Sequence, residues 1–199
     1  MESNSRSKTL LVTLLSLTLL ATGCSAQWIK IALADLPVLV QMALNIGSLV
    51  TTLQSGNQLS AAEAAAIQNI SSQASRDLNL LQTLYNQYKA SPSATTVQKI
   101  QNAISDINHN LPALLQAAHI NDSVLSTRVT AAVNLILTTV NSFATLIPQA
   151  AAPLTAEKVT RKSTALPRPG DLKKQWNQLI CGPSANAALD SARASCVVN

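Results

Sequence analysis

Two histidines and three cysteines are the most reactive side chains in this sequence of 199 residues. His109 lies three residues after Asp106, and His119 lies three residues before Asp122, so each pair would share one face of a helix. On a continuous helix the two histidines are separated by ~15 Å along the axis and ~80° around it, too far to share one metal ion. The sequence therefore predicts two polar surface pairs, with a metal or proton-relay role as the alternative interpretation.

Sequence motifs of the common enzyme classes are absent. The chain contains no Gly-x-Ser-x-Gly elbow, no Gly-x-x-x-x-Gly-Lys phosphate loop, no dinucleotide fingerprint and no His-Glu-x-x-His zinc motif. The acidic residues stand singly, so no carboxylate pair indicates a hydrolase. We therefore expect a protein that is not an enzyme and has no catalytic site, no cofactor and no metal centre.

The composition is that of a globular protein. Hydrophobic residues make up 47% of the chain, which is too many for a disordered protein. Only two Trp, two Tyr and one Phe are present, and no dense basic run occurs, so stacking platforms for bases and a phosphate-binding surface are both lacking. We expect no nucleic-acid partner.

The first residues have the order of a secretory signal peptide. Residues 1–8 are polar and include Arg6 and Lys8, residues 9–21 form an uncharged apolar run, and small residues follow. At 1.5 Å per residue this run spans roughly 20 Å, which is short of the ~30 Å of a bilayer core. A cleaved signal peptide is therefore favoured over a membrane-spanning helix.

The segment Leu20-Ala21-Thr22-Gly23-Cys24-Ser25 resembles the lipobox of bacterial lipoproteins, although Ala21 stands where that motif usually has Leu. The resemblance implies that residues 1–23 are removed and that Cys24 is lipidated, with acyl chains such as palmitate. Several chains, at ~0.8 kcal/mol per buried methylene, form a stable membrane anchor. The alternative is ordinary cleavage after Cys24-Ser25-Ala26.

If Cys24 carries the lipid, Cys181 and Cys196 remain as a pair in an exported protein. The sequence around them contains no histidine, so a disulfide is favoured over a metal site. A disulfide that closes a loop of about 15 residues is expected to stabilise the fold by ~3 kcal/mol.

Hydrophobic periodicity predicts two helices in the first half of the chain. One spans about residues 28–53, with Asp35 as the cap of a continuous part that contains Pro37. The other opens at the capping box Ser60-Ala61-Ala62-Glu63 and runs to about residue 89. Its predicted buried positions are Ile67, Ile70, Ala74, Leu78, Leu81, Tyr85 and Tyr88.

Two further helices are predicted before residue 148. Pro112 falls inside the third, and Asn110 could cap a new start, so we expect a kink or a break near residues 108–111. Asn121-Asp122-Ser123 is the predicted cap of the fourth. The predicted buried positions are Val97, Ile100, Ile104, Ile107, Leu111, Leu114 and Ala118, followed by Leu125, Val129, Ala132, Ile136, Val140, Phe143 and Ile147.

Short connections between these helices favour an all-α fold with an antiparallel four-helix up-down bundle over residues 24–147. Residues 148–170 are rich in Pro and Ala, a composition that indicates a linker. Residues 171–199 are predicted to form a small helical hairpin, of residues 171–180 and 184–194, stapled by the disulfide.

The basic excess lies in the last quarter of the sequence. Residues 25–147 carry five basic and five acidic residues, whereas residues 148–199 carry seven basic and three acidic residues. Cations on an extended tether are attracted to an anionic surface. The predicted binding residues for an anionic partner are Lys158, Arg161, Lys162, Lys173 and Lys174. The alternative is a solvated spacer.

These observations favour a lipid-anchored protein on the extracytoplasmic side of a bacterial envelope, with a structural or binding role. The expected partners are the membrane, reached through the lipid, an envelope protein or anionic polymer, and other copies of the chain. The alternative is a membrane-active or membrane-spanning protein, because residues 36–53 and 131–147 are uncharged and nearly long enough to span a bilayer.

Overall fold

The computed structural model describes residues 29–50, 59–147, 167–184, 187–191 and 196–198, and all regular structure within these ranges is helical. The predicted all-α class is therefore confirmed. The predicted signal peptide and Cys24 lie outside the described residues, as does most of the predicted linker. The helices are α1 (Ile29–Val50), α2 (Ala61–Ala90), α3 (Ala94–Ala117), α4 (Ser123–Ala144), α5 (Pro169–Leu179) and α6 (Ala187–Ser191).

The predicted caps of α2 and α4 are confirmed. Ser60 Oγ accepts a hydrogen bond from the Glu63 amide at 3.2 Å, and Glu63 Oε2 accepts one from the Ser60 amide at 3.0 Å. Asp122 Oδ1 accepts from the Leu125 amide at 2.7 Å. Glu63 Oε1 also accepts from the Asn121 amide at 2.8 Å, which joins the start of α2 to the connection before α4.

Hydrogen bonds also set the charge state of Glu63. The Ser60 hydroxyl, followed by the Asn121 and Ser60 backbone amides, lowers the pKa of the Glu63 carboxyl to about 2. All three donors stabilise the ionised form of the carboxyl. Glu63 is therefore a permanent acceptor at this junction throughout the physiological pH range.

The structure differs from the sequence prediction at one proline and narrows it at another. α1 covers both Asp35 and Pro37, so Asp35 lies inside the helix and does not cap its start. α3 continues through Pro112, so of the kink or break expected near residues 108–111 the break does not occur. A proline removes one helical donor, but the fully buried Leu36 and Leu111 beside these prolines hold the helices in the core, and that burial outweighs the lost hydrogen bond.

The predicted buried positions of α2, α3 and α4 are confirmed, except that Tyr88 and Leu114 are only half-buried. α1 contributes the fully buried Leu39, Met42 and Ile46 to the same core. The ring of Tyr85 on α2 meets the ring of Phe143 on α4 edge to face, with centroids 6.3 Å apart. This core extends beyond α4, because it also includes Leu172, Trp176, Ile180, Cys181, Cys196 and Val198.

α1 and α2 approach each other closely at Gly47. Ser71 Oγ donates to the Ala43 carbonyl at 2.7 Å, and Gln68 Nε2 donates to the Gly47 carbonyl at 3.0 Å. Ser71 follows Gln68 along α2, but its partner Ala43 precedes Gly47 along α1. The two helices therefore run in opposite directions along this contact. A Cβ at position 47 would lie 2.9 Å from Ser71 Oγ and 3.0 Å from Gln68 Oε1.

We expect Gly47→Ala to destabilise the protein, although alanine normally stabilises a helix relative to glycine by about 1 kcal/mol. The new Cβ would lie 2.9 Å from Ser71 Oγ, which cannot turn away without losing its buried hydrogen bond. Thermal unfolding followed by circular dichroism should show a lower Tm, and Ser71→Ala added to Gly47→Ala should recover part of it. Gly170→Ala is the control, because a Cβ there meets nothing within 4 Å. Equal effects at the two glycines would contradict this account of the contact.

Candidate functional site

The two histidines lie at separate places in the described part of the chain. His109 is exposed on α3, and His119 follows the end of α3 with a φ of 41°, in the left-handed region. Such a residue is common where a helix ends, which gives His119 a role in chain reversal. Within the residues that the structure describes, no three His, Cys, Asp or Glu residues are placed to hold a metal ion.

The predicted disulfide between Cys181 and Cys196 is confirmed. Both cysteines are buried in the shared core. The Cys196 carbonyl accepts two hydrogen bonds, from Asn45 Nδ2 of α1 at 2.8 Å and from Trp176 Nε1 of α5 at 2.9 Å. The disulfide is thus tied to α1 as well as to α5.

We refer to α5, α6, residues 180–184 and residues 196–198 together as the C-terminal clasp. Arg128 of α4 holds this clasp through Nη2, which donates to the Gly182 carbonyl at 2.6 Å and lies 3.9 Å from Asp190 Oδ1. The same Asp190 oxygen accepts from the amide of Ser184 at 2.8 Å and from its hydroxyl at 3.0 Å. A buried cation on α4 therefore organises the turn that follows Cys181.

A cleft of about 340 Å³ lies between the N-terminal half of α4 and the clasp. Its walls combine hydroxyl, apolar and charged side chains, and the Arg128 side chain in them is only 7% exposed. Arg128 Nη1 is buried and has no hydrogen-bond acceptor among the described residues. The lining residues are Ser123, Val124, Thr127, Arg128, Gln178, Leu179, Gly182, Pro183 and Ser184.

Comparison with protein-family models, curated proteins and solved structures finds no match for this chain.

Sequence reasoning missed Arg128 as a site residue. This arginine is one of five basic residues within residues 25–147, no motif surrounds it, and its partners lie more than 50 residues away. One signal was present, since Arg128 comes directly before Val129 of the apolar stripe in α4. A cation beside a buried stripe needs a partner, but the sequence does not say which carbonyl or carboxylate provides it.

The basic residues predicted to bind an anionic partner fall into two groups. Lys158, Arg161 and Lys162 lie outside the described residues. Lys173 is half-buried and Lys174 is exposed, both on α5. Leu172 and Trp176 anchor α5 in the core, so these two lysines stand on the folded body.

A second buried ionisable side chain lies in α1. Asp35 is fully buried, and neither carboxylate oxygen has a hydrogen-bond partner among the described residues. Burial raises the pKa of this carboxyl from its ordinary value of 3.8 to about 7. The expected role of Asp35 as a helix cap concealed this feature in the sequence.

Proposed function

We propose that this chain is a lipid-anchored protein of a bacterial cell envelope, with a structural or binding role and no catalytic activity. The observation that carries the proposal is the buried Cys181–Cys196 disulfide, because disulfides persist in oxidising compartments outside the cytoplasm. The pairing leaves Cys24 as the odd cysteine, directly after an apolar run that resembles a signal peptide with a lipobox. Residues 1–23 would then be the signal peptide and Cys24 the lipid attachment site.

We further propose that α1–α4 form an antiparallel up-down four-helix bundle within residues 24–147. Two observations support this arrangement. α1 and α2 run in opposite directions along their contact at Gly47. The connections of residues 91–93 and 118–122 are short, which favours opposite directions for the helices that they join. The linker predicted for residues 148–170 would end where α5 begins at Pro169, and the clasp would be the hairpin predicted for residues 171–199.

In this proposal the envelope partner is anionic, and it meets the basic residues Lys158, Arg161, Lys162, Lys173 and Lys174. The placement of Lys173 and Lys174 on a helix anchored in the core supports a fixed basic surface instead of a free tether. Binding by such a surface would weaken as added salt screens the charges. Other copies of the chain remain a second kind of partner, because a surface rich in uncharged polar residues repels itself weakly.

Intact-mass measurement of the protein extracted from bacterial membranes tests the lipid anchor. The expected mass is that of a chain starting at Cys24, with a diacylglycerol and an additional acyl chain. A Cys24→Ala variant should lose the added mass, whereas Ser25→Ala, the neighbouring control, should keep it. An unmodified chain starting at Gln27 would overturn the proposal.

A membrane-spanning protein is the second candidate, and one observation favours it. The helices Ile29–Val50 and Ser123–Ala144 are long and apolar enough to cross a bilayer, although about half of each apolar window is buried inside the fold. Core helices have the same composition. Carbonate extraction of a Cys24→Ala variant whose signal is still cleaved separates the candidates, because only a spanning protein would stay in the membrane.

A further inference from the structure

One of the residues that line the cleft between α4 and the clasp carries a hydrogen-bond donor that the described residues leave unused. Arg128 Nη1 is buried and has no acceptor there, while Nη2 is engaged by the Gly182 carbonyl. A buried donor without an acceptor costs free energy, because neither the protein nor bulk water completes its hydrogen bonds. An oxygen atom brought into the cleft by a ligand would complete them.

Apolar side chains form part of the lining of the same cleft. Leu179 is 58% exposed, the largest exposed fraction among the large hydrophobic side chains that the structure describes. Together with Val124 and Pro183 it lines the same cleft as Arg128. Apolar side chains beside a buried cation fit a ligand with a short hydrocarbon part and one polar end.

The charges around the cleft favour a polar end with one negative charge over a polar end with two. Arg128 is the one cation in the described lining, and Asp190 lies 3.9 Å from its Nη2. A dianionic phosphate would meet the Asp190 carboxylate with a single cation to offset it. A carboxylate carries half the charge of a phosphate dianion and matches the planar guanidinium fork.

We propose that this cleft binds a carboxylate group carried by a short hydrocarbon, with Arg128 as its ion-pair partner and Leu179 as its apolar contact. A free branched-chain acid and the C-terminal leucine of a peptide share this chemistry. Nη1 is covered by its neighbours, so binding includes a small shift of the side chains around Arg128. Binding at this cleft does not require the lipid anchor.

The test is a titration of the full chain, labelled at its methyl groups, with isovalerate and with the neutral isovaleramide of the same shape. We expect saturable shifts of the Leu179 and Val124 methyl signals with isovalerate alone. Acetyl-alanyl-leucine and its C-terminal amide form the second pair and distinguish a peptide source from a free acid. Absence of saturable binding by both carboxylates, or equal binding by the amides, would overturn the proposal.

Variants test the residues assigned to the cleft. Thr127→Tyr fills the cleft from its exposed rim and leaves the contacts of Arg128 in place, so it should abolish binding. Thr138→Tyr, at an exposed position of the same helix outside the lining, should bind like the unaltered protein. Arg128→Gln should weaken binding about tenfold or more, and Asp190→Asn should strengthen it. Unchanged affinity in Thr127→Tyr or in a folded Arg128→Gln protein would exclude this cleft as the site.

Discussion

Replacing Ile104 by aspartate is expected to lower the free energy of unfolding by several kcal/mol. Ile104 is 4% exposed and lies in the middle of the buried stripe of α3. A carboxylate there would lose its hydration without gaining an ion-pair partner, and the isoleucine contacts would be lost as well. For a chain of this size, a loss of about 4 kcal/mol corresponds to a decrease in Tm of about 10 °C.

Ser105→Asp is the matched control for this experiment. It adds the same charge to the same helix one residue further on, at an exposed position. Thermal unfolding followed by circular dichroism should show a large decrease in Tm for Ile104→Asp and a small change for Ser105→Asp. Similar melting curves for the two variants would show that the stripe faces solvent or lipid.

The Asp35→Asn variant should be more stable than the unaltered protein at neutral and alkaline pH, and equally stable near pH 4. The folded-state pKa of Asp35 is about 7, above its ordinary value of 3.8. The free energy of unfolding should therefore fall between pH 3.8 and 7, by about 1.4 kcal/mol per pH unit, because the unfolded chain ionises first. Above pH 7 the accumulated penalty reaches roughly 4 kcal/mol.

Urea unfolding at pH 4, 6 and 8 measures this difference directly. The amide side chain of the Asp35→Asn variant does not ionise, so the gap between the two proteins should open as the pH rises. Asp106→Asn, on the exposed face of α3, is the control and should leave the pH profile unchanged. A constant gap from pH 4 to pH 8 would mean that Asp35 ionises normally in the folded protein.

The sequence predicts the helices well because their signals are local. The capping box at Ser60 depends on residues three positions apart, and the stripe through Ile104 depends on a spacing of three and four residues. Both patterns depend only on residues of one helix, so they can be recognised without knowing which helices pack against it. The continuity of α1 and α3 through Pro37 and Pro112 is hard to predict for the opposite reason, since the packing that keeps these helices continuous comes from other helices.

The candidate cleft could not be predicted, because all its decisive contacts are distant in the sequence. Arg128 and Gly182 are 54 residues apart, and only the folded clasp shows that Arg128 Nη1 is buried without an acceptor among the described residues. Asp35 is a similar case, since an acid near Pro37 is a common helix cap. Only the surrounding core shows that its carboxyl is buried.

The hydrogen bond between Asn45 and the Cys196 carbonyl also constrains the order of folding. These two residues are separated by 151 positions, so this part of α1 stays uncovered until residue 196 has been synthesised. Contacts that close such long loops slow folding, because the loss of chain entropy comes before the gain from burial. Under the proposed export, late closure of the core would keep the chain unfolded while it crosses the membrane. Oxidation of Cys181 and Cys196 to the disulfide after export would then stabilise the folded core.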